Sequence, residues 1–125
     1  MRPLDVSTTD FPSSQQYREA FAAIRDQITV NQLLLLQRHY HAPGRTITAR
    51  RLAECVGYAN YGGVNAQYGA LAKHLCDALQ VRFEEEYWVT IVAMFARDPD
   101  VEGGELQWVM RPQVAHALAA LGWVW

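Results

Sequence analysis

The chain has 125 residues, the size of one ordinary domain, and a chain this long buries roughly two-thirds of its unfolded surface, enough for one core without metal or disulfide staples. Half of the residues are hydrophobic and 19% are charged, which excludes a mainly disordered chain. The formal net charge is −2, but residues 31–75 carry +4 and residues 76–125 carry −5, so a surface suited to phosphate and one that repels it are separated along the chain.

Residues 1–12 hold Pro3, Pro12 and several small polar residues and read as a flexible lead-in; one domain is expected over residues 13–125. The start has no apolar stretch of the secretory kind, and the longest apolar run, Leu33 to Leu36, is too short to span a membrane. A cytoplasmic protein with no membrane partner is expected. Ser13 and Gln16 have capping-box spacing, followed by Tyr17, Ala20, Phe21 and Ile24 at helical intervals. Thr29 and Gln32 repeat the pattern and open a second helix, with Leu33, Leu36 and Tyr40 as its inward face and Leu34 and Leu35 widening it; Pro43 and Gly44 stop it. Thr48 caps a short third helix whose buried side is Ala49, Leu52, Ala53 and Val56, ended by Gly57 in a left-handed cap. An Asn- and Gly-rich turn, residues 58–63, leads to a fourth helix from about residue 63 to residue 79. Its stripe is Val64, Tyr68, Leu71, Leu75 and Ala78.

The period then changes. Residues 87–95 are aromatic and β-branched and predict a strand; residues 106–110 alternate and predict its hairpin partner, across a polar loop with Pro99, Gly103 and Gly104. Trp88 and Trp108 are expected on facing strands in the core. Pro112 suits the first position of a last helix carrying Val114, Leu118 and Leu121, with Gly122 closing it. The expected class is α+β, mostly helical, with about five helices and one β-hairpin, in the order of a winged helix-turn-helix. In such a unit a short helix props a longer one so that the longer one's first turns reach a DNA major groove.

On that reading Arg45, Arg50, Arg51 and Lys73 are the candidate phosphate contacts. Asn65 and Gln67 carry amides suited to adenine edges, and Tyr58, Asn60 and Tyr61 form the turn that would stack or hydrogen-bond beside them. Gly62, Gly63, Ala66, Gly69 and Ala70 are small and permit close approach. No nucleotide-binding or zinc-protease motif occurs, and His39, His41, His74 and His116 have no metal-ligand spacing, so neither catalysis nor a metal or other cofactor is expected. His39 and His41 lie two apart, do not share a helix face, and are explained by the favourable placement of cations at a helix C-terminus. Cys55 and Cys76 are expected to be small buried residues rather than a disulfide.

Residues 46–79 also carry a likeness. TARRLAE from Thr48, GYANYGGVN from Gly57 and QYG from Gln67, with LQWVMRP and GWV near the chain's end, resemble a domain at the N-terminus of some bacterial HNH-nuclease-containing proteins of the restriction type. In that family the nuclease chemistry is implied to lie in a downstream metal-binding module that these 125 residues do not contain. The resemblance therefore implies a targeting or recognition module.

Two functions follow. The first is a non-catalytic module that recognises double-stranded DNA. The alternative is a bacterial or phage inhibitor or adaptor of a defence complex, of anti-restriction or anti-CRISPR type, that binds a nucleic-acid-binding protein. Its basis is the eight carboxylates after residue 75, among them the run Glu84, Glu85 and Glu86, which would stand in for phosphates. Trp123 and Trp125 are hard to bury together, and one of them left at the surface predicts a contact with a second copy or another protein.

Overall fold

A computed structural model describes residues 11–82, 85–97 and 106–124, with the backbone alone for residues 85–87. Among the described residues there are five α-helices and one three-stranded antiparallel sheet. The mostly helical α+β class read from the sequence is thus the observed one.

Both capping boxes form. Helix α1, Ser14–Ala23, opens with the Ser13 amide donating to Gln16 Oε1 at 2.8 Å and the Gln16 amide to Ser13 Oγ at 3.2 Å. It buries Tyr17, Ala20 and Phe21. Helix α2, Val30–His41, opens with the same exchange between Thr29 and Gln32. Its inward face is turned by about one residue from the expected stripe: Gln32, Leu35, Leu36 and His39 are buried, whereas Leu33 and Tyr40 are half-buried. The rotation is tolerated because the buried polar members have partners, as buried polar groups require; Gln32 Nε2 donates to Gln67 Oε1 at 3.3 Å, and His39 bonds at both ring nitrogens.

Pro43 ends α2, and a single turn, Pro43–Arg45, carries the chain round with Gly44 and Arg45 both at positive φ, 62° and 51°. Strand β1, Thr46–Thr48, follows, an unexpected element whose three residues are all β-branched. Thr48 then caps α3, Ala49–Val56, its hydroxyl accepting from the Arg51 amide at 3.2 Å, and Gly57 ends the helix at φ 82°. Helix α4, Gly62–Leu79, buries Val64, Tyr68, Leu71, Ala72, Leu75 and Cys76. Ala78, expected in that stripe, is exposed.

The expected strand over residues 87–95 is mostly a 3-10 helix, Glu85–Ile91, and only Ala93–Ala96 forms strand β2. Pairing explains the difference. β2 pairs with β3, Gln107–Met110, from Ala93 opposite Met110 to Ala96 opposite Gln107. Beyond Met110 the chain turns at Pro112 into α5, Pro112–Ala120, so residues before Ala93 have no backbone to pair with. β-branched propensity without a partner strand does not make a strand. Trp88 is therefore on the 3-10 helix, not on a strand facing Trp108.

β3 is the central strand, with Ile47 of β1 on one side of Trp108 and Phe95 of β2 on the other. The Trp108 indole stacks on Tyr68 of α4, with centroids 5.5 Å apart and planes at 22°, and meets the Phe95 ring edge-to-face at 5.6 Å. α1 packs chiefly against α5, and the Tyr17 hydroxyl donates to the Ile91 carbonyl at 2.6 Å. Burial pushes the Tyr17 phenol well above its ordinary range. Phe11, expected in the lead-in, lies half-buried with the Arg111 guanidinium 3.6 Å from its ring centroid. Cys76 is buried and its thiol is pushed up to about 12, first by burial and then by Asp77. Cys55 is exposed, against expectation, because it lies on the outer side of α3 from Leu52 and Ala53.

Candidate nucleic-acid interface

α4 presents one face outward. Asn65, Ala66, Ala70 and Lys73 are exposed and Gly69 is half-exposed between them, positions that fall together at helical spacing. A Cβ added at Gly69 would meet nothing within 4 Å. The opposite face, with Tyr68, Leu71 and Leu75, is fully buried.

Of the amides, Asn65 stands on this ridge, and its side chain makes no hydrogen bond among the described residues. Gln67 is turned toward α2, where it accepts from Gln32. Asn60 has a local role: its Oδ1 accepts from the Gly62 amide at 2.8 Å, closing a turn of its own that leads into α4. Tyr61 is 58% exposed at the head of the helix. Tyr58 is packed rather than presented. Its ring lies against Gly63, where an added Cβ would approach to 3.2 Å, and its hydroxyl is buried without a hydrogen-bond partner among the described residues.

The cations differ in how far they are committed. Arg50 Nη1 lies 2.9 Å from Glu54 Oε1, an exposed pair one turn apart on α3. Arg51 is exposed and lines a hollow of about 330 Å³ with Thr48, Glu54, Cys55 and Gln107. The Arg45 guanidinium covers the Tyr40 ring at 4.3 Å, and its Nε is buried without a hydrogen-bond partner among the described residues. Lys73 Nζ sits 5.6 Å from the Trp88 ring centroid.

Three of the nine candidates meet in one place. Arg50, Tyr61 and Asn65 line a hollow of about 340 Å³ together with Ala49, Leu106 and Trp108. Sequence reasoning did not place the last three in a site. The signal lies in the strand alternation, since Leu106 and Trp108 are two residues apart and so share a sheet face; a tryptophan in an apolar strand reads first as core.

Beneath the ridge lies a buried polar group. His39 Nε2 donates to the Trp108 carbonyl at 2.9 Å, and Nδ1 lies 2.9 Å from the Tyr68 hydroxyl, which also reaches the Leu35 carbonyl at 3.3 Å. The carbonyl accepts only, which fixes the proton on Nε2 in the neutral ring. Burial lowers the His39 pKa to about 4 against the opposing pull of the Trp108 carbonyl. His39 is therefore a neutral tie between α2, α4 and β3, not a cation at a helix end.

Of the residues held for the alternative reading, Glu84 and Trp125 lie outside the described residues, and Glu85 and Glu86 begin the 3-10 helix with their side chains outside the description. Trp123 is half-buried. Its ring meets Phe21 edge-to-face at 5.6 Å and its carbonyl accepts from Gln37 Nε2 at 3.0 Å. Among the described residues no group of His, Cys, Asp and Glu is placed to hold a metal ion, and no helix is long and apolar enough to cross a membrane.

No family model matches the chain, and no curated protein or solved structure matches it.

Proposed function

We propose that this chain is a non-catalytic module of winged helix-turn-helix type that binds double-stranded DNA in the cytoplasm through α4. The observation that carries the reading is the exposed face of α4: an amide at Asn65, small residues at Ala66, Gly69 and Ala70, and a cation at Lys73, with the exposed Arg51 on α3. Small residues allow a backbone to approach the groove, amides read adenine edges, and cations hold phosphate. The element order supports it, because β1 stands between α2 and α3, α3 precedes the longer α4, and the sheet runs β1–β3–β2. The sequence between β2 and β3 is a poor DNA contact by charge, with Asp98, Asp100, Glu102 and Glu105 against Arg97. Binding is thus assigned to α3 and α4.

A duplex titration at low salt tests the proposal. The chain is expected to retain duplex DNA, with affinity falling steeply as salt rises because bound phosphates release counterions. Arg51→Ala and Lys73→Ala should each weaken binding to all sequences and lower the salt slope by about one, whereas Asn65→Ala should change sequence preference. Failure to retain any duplex at low salt would overturn the reading.

A further inference from the structure

We infer that the hollow between α3, α4 and β3 is a pocket for a single nucleobase rotated out of its stack. The inference rests on the DNA reading above and adds what the ridge does with one base.

The argument is one of shape and chemistry. Reading a base edge inside a groove needs convex side chains that enter the groove. Here the head of α4 is bordered by a concavity of about 340 Å³, within the range of small-ligand sites, roughly 300–1,000 Å³. A base still stacked in the duplex cannot fill such a space; a base turned out of the helix can.

The lining suits a flat heterocycle. Trp108 borders the hollow at its inner end and, only 6% exposed, offers a base an edge to abut and not a free face to stack on. It is held by the stack on Tyr68, the edge of Phe95 and the Trp108 carbonyl's bond to His39, so the wall is preformed. Leu106 and Ala49 supply apolar sides, and Tyr61 stands exposed at the rim, placed to cover a ring from outside. The Asn65 carboxamide offers a donor and an acceptor side by side, the pairing a base's hydrogen-bonding edge needs. The one cation in the lining, Arg50, is paired with Glu54, so the chemistry favours a neutral ring over a phosphate.

The test compares short duplexes that differ only in one central mismatch. A mismatch lowers the cost of extruding a base, so the mismatched duplex should bind about tenfold more tightly than the matched one, an equilibrium ratio well within the few kcal/mol at stake. A 2-aminopurine placed in the mismatch should report unstacking on binding through its fluorescence. Asn65→Ala and Tyr61→Ala should remove the gain for the mismatch, while Arg51→Ala should weaken both duplexes equally and leave their ratio intact. Equal affinity for matched and mismatched duplexes, or a mismatch gain that survives both pocket variants, would overturn the pocket and leave the DNA reading standing. If neither duplex is retained at low salt, the DNA reading falls and takes the pocket with it.

Discussion

At the scale of single residues, His39 has the clearest measurable consequence. Its folded-state pKa of about 4 lies below the ordinary 6.5. A group whose neutral form is favoured by folding contributes stability above its unfolded pKa and loses it as pH falls toward the folded one. His39 therefore contributes fully near pH 7, and that contribution drains away between about pH 6.5 and pH 4, by up to about 3 kcal/mol. Urea unfolding at pH 7 and pH 5 should show a drop in the native protein that is largely missing in His39→Gln. The charged ring would not lack bonds, because Nδ1–H would point at the Tyr68 oxygen while that hydroxyl donates to Leu35; what opposes it is the loss of solvent. If the two proteins lose stability equally between those pH values, His39 is not the group responsible. This histidine was illegible in the sequence. Position 39 of a helix that also carries His41 reads as a charged C-terminal turn, and only the packing of Tyr68 and Trp108 around it shows otherwise.

At the scale of elements, Gly69 separates folding from function. It lies inside α4 with open space where a Cβ would go. Gly69→Ala should therefore raise stability, by about 0.5–1 kcal/mol, since Gly costs that much in a helix interior. On the DNA reading the same methyl stands on the ridge and should weaken duplex binding. Thermal unfolding and a duplex titration on one preparation read both effects, and a variant that is more stable with unchanged affinity would take α4's middle turn out of the interface. Elements whose signals are local were legible: two capping boxes, the Gly57 stop, Pro112 in the first turn of α5, and the buried stripe of α4 as far as Leu75. Those whose identity depends on a distant partner were not. β1 is three residues long and exists because β3 lies alongside it, and residues 85–91 are not a strand because nothing does. The candidate site divides in the same way. Asn65, Tyr61 and Arg50 were readable from residue type and helix spacing, but the hollow they share needs Trp108, more than forty positions away in the chain.

At the scale of the whole molecule, the separation of charge along the chain has a testable result. The basic segment of residues 31–75 includes α3 and most of α4, while four carboxylates, Asp98, Asp100, Glu102 and Glu105, fall between β2 and β3 in the sequence. On the DNA reading a duplex approaching α4 meets the basic segment, and a carboxylate lowers its affinity only from within about 10 Å at moderate salt. Replacing all four by their amides should raise duplex affinity severalfold at low salt, with the difference closing as salt rises. Affinity indifferent to the replacement at every salt concentration would mean that the connection lies beyond electrostatic range of the bound DNA.

Asn60 bears on the same approach. It fastens the first amide of α4 with an uncharged oxygen. An aspartate there would complement the helix dipole better, by about 0.3–1 kcal/mol, yet, if α4 binds DNA as proposed, would post a negative guard at the polyanion's doorway. On that reading the asparagine forgoes a little endurance and leaves the threshold electrically neutral.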